Sequence, residues 1–127
     1  MPQFVEALTF TGTTVATSTT AQVLFGPDAA APLVALPANA KTIIFLNLDA
    51  TDAVYIRMFS AIQGATPTLT ANDSITVPAS AALTLDVGTA GQRSDPYVTG
   101  QTTYIQAVAG TPSVSVTLVM GAGSLFT

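Results

Sequence analysis

From Ser113 to Met120 the chain reads Ser-Val-Ser-Val-Thr-Leu-Val-Met; Val114, Val116, Leu118 and Met120 share one parity, and Ser113, Ser115 and Thr117 the other. Side chains alternate between faces along an extended strand, whereas in a helix they rotate steadily around the axis, so this pattern fits a strand with one buried face. Such a strand cannot stand alone. Its backbone groups need hydrogen-bond partners, and its apolar face needs a second layer to pack on.

The rest of the chain supplies these in short pieces. Thr42 to Leu48 and Ala53 to Phe59 are apolar runs joined by Asp49-Ala50-Thr51-Asp52. They read as a hairpin, with Asp49 placed to accept a hydrogen bond from a backbone N–H two residues on. Ser74 to Val77 and Ala81 to Val87 read as strands separated by Pro78-Ala79-Ser80, with Leu83, Leu85 and Val87 alternating against Ala82, Thr84 and Asp86. Thr102 to Ala109 and Ser113 to Met120 read as a second hairpin around Gly110-Thr111-Pro112. Upstream, Gln22 to Phe25 is a short strand halted by Gly26-Pro27-Asp28, and the Thr- and Ser-rich stretch Thr9 to Thr20 favours an extended arm or an edge strand. Ala29 to Ala40 carries Pro32 and Pro37, which exclude a regular helix. Ser60 to Asn72 and Thr89 to Gly100 read as loops.

No stretch sustains a 3.6-residue period with capping signals. Six to eight short, mostly antiparallel strands with turn signals between them predict an all-β fold, a β-sandwich or jelly roll. The 127 residues fit one domain. Within it, residues 1–40 are expected to form an extended arm and a proline-containing contact strip, and residues 41–127 the sandwich core. The expected core residues are Ile43, Phe45, Val54, Ile56, Leu83, Leu85, Ile105, Val114, Val116 and Leu118.

Composition bears on what such a domain does. Only 8% of residues are charged while 49% are hydrophobic, against roughly 25% charged in an ordinary soluble domain. The surface is therefore built largely from Thr, Ser, Ala, Gln and Asn, and a net charge of −4 supplies little self-repulsion to keep it monomeric. Much of this surface is expected to face other protein. Lys41, Arg57 and Arg93 are the only basic residues and form no cluster able to neutralise several phosphates, so nucleic acid is not an expected partner. Met1 to Phe10 has neither a basic n-region nor an apolar h-region, and the apolar run Ile43 to Leu46 is far too short to span a bilayer. Neither a signal peptide nor membrane association is expected.

With no histidine and no cysteine, the chain lacks the side chains of hydrolytic triads, thiolate nucleophiles, disulfides and thiolate metal sites. The pairs Asp49 with Asp52 and Asp86 with Asp95 sit at strand ends or turns, where solvated aspartate is ordinary. Asp49, Thr51 and Asp52 offer only part of the oxygen shell that calcium takes. Gly88 and Gly91 are turn glycines, since no phosphate-cradling motif surrounds them. Tyr55, Tyr97 and Tyr104 have the amphipathic rings of a sugar-stacking platform or of sheet-edge caps. Arg57, between Ile56 and Met58, points away from their side and can pair with a carboxylate within the fold or at a subunit interface. The expectation is a chain that is not an enzyme and has no catalytic residue, cofactor or metal.

Four segments carry a resemblance: Thr42-Ile-Ile-Phe-Leu-Asn-Leu, Ala53-Val-Tyr-Ile-Arg, Val77-Pro-Ala-Ser-Ala-Ala-Leu-Thr-Leu-Asp-Val and Thr103-Tyr-Ile-Gln-Ala-Val-Ala-Gly-Thr. In this order, over residues 40 to 120, the chain resembles small virion structural proteins of tailed bacteriophages. The resemblance implies a sandwich or jelly-roll subunit that decorates or cements a capsid, or forms part of a head or tail appendage, and it transfers no catalytic residue. The implied partners are the major capsid protein or another virion protein and sister subunits in a homo-oligomer, a trimer being favoured. The implied place is the phage head surface, after assembly in the host cytoplasm. The alternative is a receptor- or glycan-binding head of a tail fibre or other virion appendage, using the loops at Ser60 to Asn72 and Thr89 to Gly100. Candidate interface residues are Thr14, Val15, Thr17, Pro32, Leu33, Val34, Leu36, Pro37 and Arg57, most of them in N-terminal segments that are apolar or hydroxyl-rich and not expected to join the core.

Overall fold

The computed structural model describes residues 9–26, 32–35, 40–59, 63–86 and 102–120. They form eight strands: β1 (Thr9–Ala16), β2 (Gln22–Phe25), β3 (Ala40–Asn47), β4 (Val54–Phe59), β5 (Ile75–Val77), β6 (Ala82–Asp86), β7 (Thr102–Ala107) and β8 (Ser113–Met120). Two four-stranded sheets result, ordered β1-β8-β3-β6 and β2-β7-β4-β5, and all their pairings are antiparallel. The expected all-β sandwich is present, and its strand order is that of an eight-stranded jelly roll.

Neither predicted hairpin forms. β3 and β4 lie in different sheets, as do β7 and β8. Turn residues interrupt a strand equally well whether the chain folds back beside itself or steps across a core, and here both flanks of β3 are taken by β6 and β8 and both flanks of β4 by β5 and β7. The segment 48–53 is long enough to cross the ~10 Å between packed sheets.

Four such crossings, at 17–21, 108–112, 48–53 and 78–81, lie side by side at one end of the sandwich and are bonded to their neighbours. Thr17 N–H and hydroxyl donate to Pro112 O (3.1 and 2.6 Å), and Ala107 N–H donates to Ser18 O (2.7 Å). Leu48 N–H donates to Ser113 O (2.9 Å) and Val108 N–H to Ala53 O (3.0 Å). Ser80 N–H donates to Asp49 O and Asn47 N–H to Ala81 O, both at 2.9 Å.

The N-terminal segments are strands of the sandwich. β1 is an edge of one sheet and β2 an edge of the other, so the described part of residues 1–40, expected to be an arm and contact strip, contributes strands to the sandwich from Thr9 on. The inner faces meet in one core, in which Phe45, Val54, Ile56, Ile105, Val114 and Val116 are fully enclosed. Leu83 and Leu85, expected inside, reach only its rim, because β6 is an edge strand. Leu24, Phe25, Val34 and Val77 belong to the core without having been expected there.

Candidate assembly surface

The register fixes what each sheet presents outward. Ile43 and Phe45 of β3 lie opposite Leu118 and Val116 of β8 and point into the core, so Thr42, Ile44 and Leu46 point out beside Val119, Thr117 and Ser115. The outward row continues through Phe10, Gly12 and Thr14 on β1 and through Ala82 and Thr84 on β6. Every one of these side chains is apolar, hydroxyl-bearing or absent; the next residue of this parity on β6 is Asp86, opposite Thr42. Phe10 is 62% exposed and Leu46 39%, and no described segment lies over them.

The other sheet is finished by its own chain. The segment 63–74 lies across its outer face, where Leu69, 2% exposed, packs with Ala21 and Tyr104 and against Val23, Tyr55 and Phe59. Gln106, on the outward row of β7, bonds this segment as another strand would: Leu69 N–H donates to Gln106 Oε1 (2.9 Å) and Gln106 Nε2 donates to Leu69 O (3.2 Å). Phe59 and Tyr104 meet edge to face with ring centroids 5.5 Å apart. Asp73 anchors the end of the segment: its Oδ1 accepts from Thr70 N–H and from the Ser74 hydroxyl, both at 2.8 Å, and its Oδ2 pairs with Arg57 Nη1 at 3.0 Å. The Thr70 N–H first, then the Ser74 hydroxyl and least of all Arg57, hold the Asp73 carboxyl below its ordinary range.

Arg57 therefore makes its carboxylate pair within the fold, its guanidinium lying 4.4 Å above the Phe59 ring. Tyr55 and Tyr104 belong to the cluster around Leu69 and do not form an open stacking platform; Tyr97 lies outside the described residues. An open depression beside Arg57, lined by Ile56, Met58, Asp73 and Ile75 among others, has no aromatic ring in its wall.

Asp49 and Asp52 meet at the crossing between β3 and β4, where they shape the turn. Asp49 Oδ1 accepts from Thr51 N–H (2.8 Å), the Thr51 hydroxyl (3.0 Å) and Asp52 N–H (2.8 Å), which together lower its pKa, the Thr51 N–H most. The bond two residues on is the one its sequence position predicts. Behind it, buried Asn47 donates to Asp52 O (2.8 Å) and Val77 O (3.3 Å) and accepts from Asp49 N–H (3.0 Å). Asp95 and the side chain of Asp86 lie outside the described residues, and among those described no three acidic or other ligating side chains gather as a metal site.

The candidate interface residues scatter. Thr14 is exposed on the outer row of β1. Val15, Thr17 and Val34 are corrections: each is buried within this subunit, Val15 and Val34 in the core and Thr17 bonded to Pro112 O, because the segments that carry them are integral to the sandwich. Leu33 packs partly against the core and Pro32 is half-buried. Leu36 and Pro37 lie outside the described residues. Sequence reasoning passed over Phe10, Ile44 and Leu46. The signal for the last two was the near-unbroken apolar run from Thr42 to Leu48, since a strand apolar on both parities is one with both faces covered.

No family model matches the sequence, and no curated protein matches it. Among solved structures, the chain is similar to one described under "Bacillus endospore appendages form a novel family of disulfide-linked pili", with a TM-score of 0.43 and 16% identity over 95% of this chain and 94% of that one. A likeness of this size carries no functional argument.

Proposed function

We propose that this chain is a non-enzymatic structural subunit whose β1-β8-β3-β6 sheet packs its outer face on other protein, and that its setting is the virion of a tailed bacteriophage, where it decorates or cements the capsid. The observation that carries the packing role is the contrast between the two sheets: one is roofed by residues 63–74, while the other presents a row from Phe10 to Thr84 in which none of the described side chains is charged. The row mixes apolar and hydroxyl-bearing side chains and places Phe10 and Leu46 in solvent, and depletion of charge is the compositional mark of the middle of a protein contact. The virion setting rests on the resemblance over residues 40 to 120. A four-stranded face has a footprint of roughly 450 Å², from strands ~4.8 Å apart rising ~3.3 Å per residue. A stable standard interface takes about 800 Å² per partner, so one contact is weak and firm binding draws on many copies, as a shell provides.

The test is sedimentation velocity of the purified chain, alone and mixed with empty expanded phage heads. Saturable co-sedimentation at a fixed ratio to capsid subunits is expected. A monomer that ignores both the heads and its own copies would overturn the reading. A glycan-binding appendage head would need a ring-lined site, whereas Tyr55 and Tyr104 are engaged with the 63–74 segment.

A further inference from the structure

Four strands form the sheet edges, and the chain treats them differently. β2 carries a register shift between Val23 and Phe25, and its free edge is occupied: Leu33 N–H donates to Val23 O (3.0 Å) and Val34 N–H to Leu24 O (2.9 Å). β5 has three residues and β6 five, and Pro78 follows the first directly. β1 runs for eight residues in unbroken register with β8, from Thr9 opposite Met120 to Ala16 opposite Ser113. It has no proline, bulge or charge, and from Phe10 to Thr14 every residue is exposed, whichever face it belongs to. Among the described residues, none pairs with its free edge. Natural proteins blunt such edges with charge, proline, bulges or cover, because unpaired N–H and C=O groups on a flat strand recruit another strand.

We infer that β1 is a self-pairing edge: two copies join β1 to β1 antiparallel about a two-fold axis, turning β1-β8-β3-β6 into one continuous eight-stranded sheet. A two-fold axis sets an edge against itself, so the contact closes with two copies, and the strand Thr-Phe-Thr-Gly-Thr-Thr-Val-Ala brings no like charges into opposition. Keeping both outer faces on one side requires opposed residues of equal parity, so Phe10, Gly12 and Thr14 meet their counterparts on the outer face. The inference rests on the proposed packing role and deepens it, because joining two faces raises the footprint to roughly 900 Å², which reaches the scale of a stable interface. The product is a dimer, or a dimeric link between larger rings, in place of the trimer favoured from sequence.

The chain has no cysteine, so an introduced thiol reports alone. In the full-length protein, at least one of Gly12→Cys, Thr13→Cys and Thr14→Cys is expected to oxidise to a disulfide-linked dimer, since paired strands near the axis bring Cα atoms within the ~4.4–6.8 Å a disulfide needs. Thr84→Cys, exposed on the opposite edge, is expected to stay monomeric. By sedimentation the wild type shows a concentration-dependent dimer, and Thr13→Lys weakens it by roughly tenfold or more, as charge on an edge strand does. A wild type monomeric at every concentration, or a dimer indifferent to Thr13→Lys with no cross-link through β1, overturns the inference. So does hydrogen exchange in which β1 amides become protected only when heads are added, because a strand from another protein then fills the edge. In that case the proposed function survives and the self-pairing does not.

Discussion

Asn47 satisfies three backbone groups, two in the 48–53 crossing at Asp49 and Asp52 and one at the end of β5 at Val77, from a site only 1% exposed. Asn47→Ala leaves all three without this partner, the Val77 carbonyl in a buried place and the other two part-buried, and each buried unpaired group costs about 1–3 kcal/mol. The expected loss is about 3 kcal/mol, read as a lower urea midpoint at unchanged slope. Asp49 makes a different kind of statement. Its carboxyl, like that of Asp73, is lowered from the ordinary 3.8 by hydrogen bonds present only in the fold, so each supports the native state above that value and withdraws support as pH falls through its own lower pKa. With no histidine in the chain, stability is expected to be level from about pH 5 to 8 and to decline below about pH 4. Asp49→Asn and Asp73→Asn should each flatten that acid limb in unfolding measured against pH. The role of Asp49 was legible because its partners are two and three residues away. That of Asn47 was not, because one partner lies thirty residues on.

Among elements, the 63–74 segment shows how a loop can serve as a layer. It has no strand of its own, yet Gln106 bonds both backbone groups of Leu69, and the Leu69 side chain closes a small second core. Gln106→Ala removes both bonds and leaves an N–H and a C=O buried. A loss of about 2 kcal/mol is expected, with faster exchange of the Leu69 amide; Leu69→Ala should cost about 2–4 kcal/mol through the cavity it leaves. If Gln106→Ala changed neither stability nor exchange, the segment would be resting on the sheet without being held. The existence of most strands was readable from alternation, β8 most clearly. Their partners were not, since Asp49 to Asp52 and Gly110 to Pro112 stop a strand in the same way whether the next one lies alongside or across the core. β1 was ambiguous for a related reason: threonine suits extended backbone but does not say what it pairs with.

At the scale of the molecule, the two outer faces make opposite predictions for the same substitution. Leu46 points outward from a central strand, 39% exposed, with Ser115 and Ala82 beside it. Leu46→Glu therefore leaves the core untouched and is expected to change unfolding stability by less than about 1 kcal/mol. In an assembly that covers this face, the same glutamate would be buried without a partner, a penalty of several kcal/mol at a desolvated contact. Co-sedimentation with heads should then weaken by more than about a hundredfold, equivalent to roughly 3 kcal/mol. Thr68→Glu places an equal charge at an exposed position of the segment that roofs the other sheet, and head binding should be unchanged there. Normal binding by Leu46→Glu with loss of binding by Thr68→Glu would assign the contact to the roofed sheet. Equal loss in both would mean that charge weakens binding wherever it is placed, and the face would have no special part in it.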